Sequence, residues 1–133
     1  MKRYFGDTFF FLALLNETDD AHDRATDLME DFRGQIITTR WVLAELANAL
    51  AAPLSRMKCA AYIRFLQADS DVEIVGDEEV LFERGLRLYE QRRDKGWSLT
   101  DCISFVVMQR KRIKEALTGD HHFEQAGFVA LLK

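Results

Sequence analysis

The segment from Lys2 to Leu15 reads KRYFGDTFFFLALL and carries one acid, Asp7, inside the most apolar part of the chain. Arg3–Gly6 has the length and composition of a short strand, and Phe9–Leu15 those of a short buried helix. Burying a carboxylate charge costs several kcal/mol unless a cation or hydrogen-bond donors meet it. The segment therefore predicts a strand, a turn and a helix, with an acid at the turn that requires an explanation.

The same alternation of short β-like runs and longer helical patterns continues along the chain. It predicts an α/β fold in which helices cover both faces of a central parallel sheet of about four to five strands. The predicted strands are Arg3–Gly6, Gln35–Thr38, Val72–Val75, Glu115–Thr118 and Val129–Leu131.

Capping and breaking residues set the predicted helix boundaries. Beyond Phe9–Leu15, we expect helices from the N-cap Asp20 to about Phe32, from Arg40 to Ala51 with Pro53 closing it, from Arg56 to Ala68, from the N-cap Asp77 to about Lys95, and onward from the N-cap Ser98. Asp101 follows Ser98 at the spacing of a capping box.

Composition indicates a single globular domain spanning residues 1–133. The chain is 48% hydrophobic and 30% charged, and it has one proline and seven glycines, which leaves little material for linkers. Cys59 and Cys102 lack CxxC spacing and are predicted to be reduced packing residues. The apolar run after Asp7 is too short to span a bilayer, so we expect a cytoplasmic protein without membrane association.

Four acids need a reason for their positions. Asp7 and Asp120 each follow a predicted strand, at the sheet edge where open α/β folds bind their ligands. Simpler explanations remain open, because Asp7 suits a helix N-cap and Gly119-Asp120 is a common turn pair. Glu45 is the only charge in two helical turns and shares a face with Asn48, although it can also simply mark the solvent side.

Asp101 has an alternative role in the capping box with Ser98. His121 and His122 follow Asp120 directly, but adjacent histidines do not easily face one ion, so we expect both rings in solvent. In the predicted topology, the acids Asp7, Glu45, Asp101 and Asp120 all lie at or near the same edge of the sheet. Such a cluster is unstable without a cation, and its oxygen ligands suit Mg²⁺ or Mn²⁺.

Four segments carry these acids in order: DTFFFLALL with Asp7, TTRWVLAELANAL with Glu45, SLTDCISFVVMQR with Asp101, and ALTGDHHFEQAGF with Asp120. Together they resemble the PIN domain, in particular the single-domain toxin ribonucleases of the VapC type found in bacterial toxin–antitoxin pairs. The resemblance covers nearly the whole chain. It implies a three-layer α/β/α fold and metal-dependent hydrolysis of RNA phosphodiester bonds.

The resemblance also implies roles for individual residues. It assigns Asp7, Asp101 and Asp120 to one or two Mg²⁺ or Mn²⁺ ions, and it makes Glu45 a further ligand or a base that orients the attacking water. Polar neighbours that would support these acids are Thr8, Thr100, Ser98 and Asn48.

The net charge of −4 repels RNA in bulk, so phosphate contacts must be local. Arg40, Arg93 and Arg110 are the candidates, although the basic clusters around the last two can equally be solvated helix ends. The resemblance implies a small VapB-like antitoxin and a homodimer as partners. Part of the Phe9-Phe10-Phe11 triplet can face a protein partner, unless the core buries all three rings.

Two other hypotheses fit parts of the sequence. A catalytically silent PIN-fold module would bind a protein or RNA without cutting it, but such a module has no need to retain all four acids. A phosphatase of the haloacid type requires a second acid two residues after the first, where this chain has Phe9. A receiver domain requires an early acid pair and a late lysine, and neither is evident.

Overall fold

The computed structural model describes residues 1–76 and 78–133 and contains one five-stranded, fully parallel sheet in that part of the chain. Its strands are β1 Arg3–Gly6, β2 Gln35–Thr39, β3 Val72–Val75, β4 Glu115–Leu117 and β5 Val129–Ala130. Their order across the sheet is β3-β2-β1-β4-β5, with β1 in the centre. The predicted α/β class and all five strand positions are confirmed, with end differences of one residue.

Helices connect the strands and cover the sheet. They are α1 Thr8–Leu15, α2 His22–Glu30, α3 Arg40–Ala49, α4 Pro53–Ala68, α5 Glu78–Gln91, α6 Leu99–Lys111 and α7 His121–Gln125. Asp77, the predicted cap of α5, lies outside the described residues, and α5 ends four residues before the predicted Lys95. No helix in residues 1–76 and 78–133 has the length and apolarity needed to cross a membrane.

Two predicted helix starts are wrong. Asp20 does not cap α2: the Oδ1 atom of Asp19 accepts a hydrogen bond from the Ala21 amide at 2.8 Å, and this turn delays the helix to His22. Pro53 does not close α3 but opens α4, three residues before the predicted Arg56. Proline suits this first helical position because an amide hydrogen there would have no partner within the helix.

The apolar residues after Asp7 form the centre of the core. Phe10 and Phe11 are fully buried, whereas Phe9 is half-buried. The ring of Phe9 lies over Gly119, where an added Cβ would come within 2.5 Å of Phe9 Cζ. The triplet is thus mostly core, and Phe9 packs against the turn that carries Asp120. Both cysteines are free and buried, as predicted.

Gly85 lies in the middle of α5, where alanine would ordinarily favour the helix by about 1 kcal/mol. Here a Cβ would lie 2.3 Å from Ile103 Cγ1 and 3.2 Å from the Ile103 backbone, because α5 packs directly on α6. We expect Gly85→Ala to lower the free energy of unfolding by about 1–3 kcal/mol in urea titration. Gly96→Ala is the control, since its Cβ would meet only His122 Nε2, at 3.9 Å. Equal stability of the two variants would contradict the close packing.

Candidate metal centre

The candidate site lies where the connections of the sheet change direction. From the central β1 the chain builds β2 and β3 on one side, and it later places β4 and β5 on the other. The carboxyl ends of β1 and β4 are therefore adjacent and open a crevice of the kind that binds ligands in doubly wound sheets. Asp7 follows β1, and its amide donates to the carbonyl of Leu117 at 3.4 Å. Thr118 and Asp120 follow β4 at the same edge.

Asp7 is almost completely buried, with 4% of its surface exposed. It occupies the N-cap position of α1, but its side chain makes no capping hydrogen bond to that helix. Instead, its Oδ2 accepts a hydrogen bond from the Thr118 hydroxyl at 2.8 Å. Helix capping therefore does not explain the buried acid.

Thr118 joins the two strand ends and was not singled out from the sequence. Its side chain is fully buried, and its Oγ1 donates to Asp7 while accepting from the Asp120 amide at 3.1 Å. The available signal was a hydroxyl residue at the end of an apolar strand, directly before Gly119-Asp120. Thr118 thereby fixes the position of the Asp7 carboxylate relative to the turn that contains Asp120.

Asp101 serves two structural roles at the start of α6. Its Oδ2 accepts from the Ser98 amide at 3.1 Å, and its amide donates to Ser98 Oγ at 3.0 Å, so the predicted capping box is present. The same Oδ2 lies 2.9 Å from His122 Nδ1. The acid therefore caps α6 and also meets the segment that carries Asp120.

Asp120 is the N-cap of α7, and its Oδ1 accepts from the His122 amide at 2.9 Å. The prediction for the two histidines was right for His121, whose side chain is 63% exposed, and wrong for His122, which is 23% exposed. The first turn of α7 directs the His122 ring back toward Asp101 instead of into solvent.

Three of the four acids are close together: Thr118 bonds both Asp7 and the Asp120 amide, and His122 Nδ1 lies 2.9 Å from Asp101 and 3.5 Å from Asp120. Burial is the main cause that raises the pKa of Asp7 to about 7, and the charges of Asp101 and Asp120 raise it further against the opposing Thr118 hydrogen bond. Burial also raises the pKa of Asp101, with a further contribution from Asp120 and opposing hydrogen bonds from Ser98 and His122. The three carboxyl groups thus form one site in which full ionisation is unfavourable without a cation.

Glu45, the fourth predicted acid, has no contact with Asp7, Asp101 or Asp120 through a shared hydrogen-bond partner in the part of the chain that the structure describes. It is half-buried on α3, the helix that follows β2, the neighbour of β1 in the sheet. Within residues 1–76 and 78–133 its carboxylate has no hydrogen bond or ion pair, whereas Asn48 on the same helix is exposed. The α3 start is set by the Thr39 hydroxyl, which accepts from the Val42 amide at 3.2 Å.

The remaining polar neighbours differ in position. Thr8 is buried beside Asp7, and its Oγ1 has no hydrogen-bond partner among the described residues. Thr100 is half-buried next to Asp101. Ser98 is exposed, and it forms the two hydrogen bonds of the capping box with Asp101. A buried hydroxyl without a partner is unusual in a folded protein, and a bound water would satisfy it.

The donor set fits a divalent cation. Asp7, Asp101 and Asp120 all provide carboxylate oxygens, and Thr118 and His122 link the three acids to one another. Hard oxygen donors of this kind favour Mg²⁺ or Mn²⁺ over softer metals. Burial raises the pKa of Asp7 to about 7, and carboxyl groups with strongly raised pKa values are frequent at functional sites.

Sequence and structure comparisons point to one group of proteins. A sequence model of the PIN domain matches residues 4–129. Two relatives, from the CDC 1551 / Oshkosh and ATCC 25618 / H37Rv strains of Mycobacterium tuberculosis, are named 23S rRNA-specific endonuclease VapC20. Each is 30% identical over 135 residues, covering 94% of this chain and 95% of the relative.

Solved structures agree with the fold. The crystal structure of Mycobacterium tuberculosis VapC20, described as a toxin that cleaves the sarcin–ricin loop, has a TM-score of 0.87 and 28% identity, covering 95% of this chain and 96% of that one. A toxin–antitoxin complex from Klebsiella pneumoniae has a TM-score of 0.62 at 15% identity, covering 89% and 87%. VapBC2 from Rickettsia felis, bound to promoter DNA, has a TM-score of 0.63 at 14% identity, covering 96% of each chain. At such low identity, the Klebsiella and Rickettsia structures support only a shared fold.

Proposed function

The chain belongs to the PIN domain family, and we propose that its 133 residues form one domain that acts as a divalent-metal-dependent ribonuclease, the toxin of a toxin–antitoxin pair. The observation that carries the proposal is the convergence of Asp7, Asp101 and Asp120 at the ends of β1 and β4, linked through Thr118 and His122. Burial there raises the pKa of Asp7 to about 7. A fold without this chemistry has no reason to keep a carboxylate buried there.

Each acid has a distinct part. Asp7, Asp101 and Asp120 are the proposed ligands, and the ion is Mg²⁺ or Mn²⁺ because all three donors are oxygens. When bound, the ion would lower the pKa of its coordinated water and neutralise the charge that develops on the scissile phosphate. Glu45 is proposed as a fourth ligand or as the base that orients the attacking water, since its carboxylate has no partner among the described residues.

The surrounding hydroxyls are proposed to hold the acids in position. Thr118 fixes the orientation of the Asp7 carboxylate, and Ser98 does the same for Asp101 through the capping box. Thr8 and Thr100 are proposed to donate to water or phosphate oxygens near the acids, and Asn48 to do so near Glu45. Rigid support of this kind reduces the reorganisation needed during the reaction.

A direct test of the reaction is cleavage of RNA with and without divalent ions. We expect cleavage of 23S rRNA, the RNA named for the relatives at 30% identity, in Mg²⁺ or Mn²⁺ and its loss in EDTA. Restoring the ion in excess should restore cleavage. Cleavage that persists in EDTA would overturn the proposal, and mapping of the cut positions on total RNA would identify the target.

A groove next to the acids supports Arg93 as a contact for RNA. Its volume is about 640 Å³, and its lining runs from Tyr89 along the α5–α6 connection to Ser98, whose amide donates to Asp101. Arg92 lies over the Trp97 ring at 4.9 Å and is paired with Asp94, so its position is held. The groove thus combines basic side chains with the half-exposed Tyr89 ring, a combination suited to single-stranded RNA.

We expect Arg93→Ala to weaken RNA binding and to reduce the salt dependence of binding by about one phosphate contact. Binding is measured by fluorescence anisotropy across a salt series, in an Asp7→Asn background that prevents cleavage. Arg64→Ala on α4 is the matched control, because Arg64 pairs with Gln67. An unchanged salt slope for Arg93→Ala would remove Arg93 from the RNA path.

The other two arginines have less support. Arg40 is exposed at the first position of α3, the helix that carries Glu45. Arg110 lies nine residues after Asp101 on α6, roughly 13 Å along the helix axis. It is therefore proposed only as a contact for a more distant phosphate.

The proposed partners are a VapB-like antitoxin and a second copy of the chain. Exposed apolar side chains on α4 support this proposal, namely Leu54, Met57 and Phe65, which are 102%, 74% and 59% exposed. Val80 and Phe82 on α5 are also exposed. Gel filtration alone and with the product of the adjacent gene should show a dimer and then a larger complex; an unchanged monomer peak would contradict both partners.

A further inference from the structure

Asp120 Oδ1 lies close to two imidazole nitrogens. It is 3.6 Å from His121 Nδ1 and 3.5 Å from His122 Nδ1. Contrary to the expectation that adjacent histidines do not easily face one ion, one ligand atom from each of Asp120, His121 and His122 can be chosen so that all three lie within 4.8 Å of one another. This grouping arises because the first turn of α7 carries both rings back over its own N-cap residue.

These two separations are too long for good hydrogen bonds, and they suit either an ion pair with a protonated ring or two ligands of one ion. Two ligands bound at 2.0–2.2 Å to one tetrahedral ion lie about 3.4 Å apart, which is close to both Asp120–histidine distances. Asp101 Oδ2 lies at 2.9 Å from His122 Nδ1 and adds a second carboxylate beside the group. The two Asp120–histidine separations are thus near those of ligands around one ion, and the histidine rings need only a small rotamer adjustment to complete the group.

We propose that Asp120, His121 and His122 bind a transition-metal ion of the zinc class. Imidazole nitrogen suits Zn²⁺, Co²⁺ or Ni²⁺, whereas Mg²⁺ is bound through oxygen. On binding through Nδ1 of His122, the ion replaces the proton that this nitrogen donates to Asp101, so that hydrogen bond breaks and the proton passes to solvent. The neighbouring Asp101 carboxylate compensates the positive charge.

The site shares Asp120 with the oxygen-ligated site of the proposed nuclease. Zinc and Mg²⁺ therefore compete for one carboxylate, and zinc bound to the histidines inhibits RNA cleavage. This consequence rests on the proposed function, whereas ion binding by the three side chains does not. The two histidines thereby add zinc sensitivity to an acidic site.

Titration with Co²⁺ alone, on the full chain with any affinity tag removed, tests the binding without RNA. We expect visible absorption bands of low-coordinate Co²⁺ that Zn²⁺ abolishes, and His121→Ala should weaken Co²⁺ binding by roughly 10–100-fold. His121 is exposed, so its loss does not endanger folding. His22→Gln is the matched control, because His22 is the only other histidine and contacts the Ala13 carbonyl on a different helix.

Equal Co²⁺ affinity in the native chain and in His121→Ala would overturn the site, as would the lack of any Co²⁺ bands at millimolar concentration. Equal weakening in His22→Gln would also overturn it, because the effect would then be nonspecific. Since RNA is absent, these results are independent of whether the chain cleaves RNA. Failure of the nuclease assay with intact Co²⁺ binding would reject only the proposed function.

Discussion

Asp7→Asn is expected to abolish RNA cleavage and, in the metal-free protein above pH 7, to increase stability. If Asp7 is a metal ligand as proposed, its loss removes several kcal/mol of transition-state stabilisation, a loss of about 10²–10³-fold in rate or more. The same change removes a buried charge that the fold meets with only a neutral hydroxyl donor, Thr118, among the described side chains. Asparagine has the same shape, and its carbonyl oxygen can still accept from Thr118.

The stability effect follows from the direction of the pKa shift. Burial raises the pKa of Asp7 from 3.8 in the unfolded chain to about 7 in the fold. Between these values the folded state binds more protons, so the free energy of unfolding falls as the pH rises from about 4 to about 7. The stability present below pH 4 is reduced by up to about 4 kcal/mol once Asp7 is ionised. Burial of Asp101 acts in the same direction.

Urea denaturation of metal-free protein at pH 5 and pH 8 measures this effect. The native chain should be less stable at pH 8, whereas Asp7→Asn should depend much less on pH. Mg²⁺ or Mn²⁺ should raise the melting temperature of the native chain at pH 8 more than that of the variant. A variant that loses stability at pH 8, or that still cleaves RNA, would contradict the assignment of Asp7 to a metal.

Thr118→Val is expected to be the most damaging change that leaves every acid in place. It removes the donor to Asp7 Oδ2 and the acceptor of the Asp120 amide in one step. Loss of a buried hydrogen bond to a charged group costs about 1.5–3 kcal/mol. We therefore expect the free energy of unfolding to fall by this amount at pH 8, where Asp7 is ionised. The pKa of Asp7 should rise further, because the Thr118 hydrogen bond lowers it.

Thr38→Val is the matched control for this prediction. Thr38 is equally buried, on the neighbouring strand β2, and its hydroxyl donates at 2.8 Å to the neutral carbonyl of Gly6. Its loss should cost about 1 kcal/mol at both pH values. Metal affinity and RNA cleavage should fall about 10–100-fold in Thr118→Val only. Equal effects of the two substitutions would mean that Thr118 has no special relation to the acids.

Local pattern was sufficient to predict most of the elements. The five strands and the capping box of Ser98 with Asp101 follow from residue type and spacing over a few positions, and the structure confirms them. Helix starts were less predictable, because Asp19, Asp20 and Pro53 each suit more than one position near a helix terminus. Which of these residues begins the helix depends on the turn that precedes it, and the packing of the surrounding chain sets that turn.

The α/β class and the candidate acids can be predicted from the sequence alone, because hydrophobic periodicity and residue type are local properties. The hydrogen bond between Asp7 and Thr118, 111 residues away, depends on the packing of distant strands and could not be predicted from local pattern. The tertiary structure also decided that His122 turns toward Asp101. The strand order that makes β1 and β4 neighbours creates these contacts, and burial at that junction sets the pKa of Asp7.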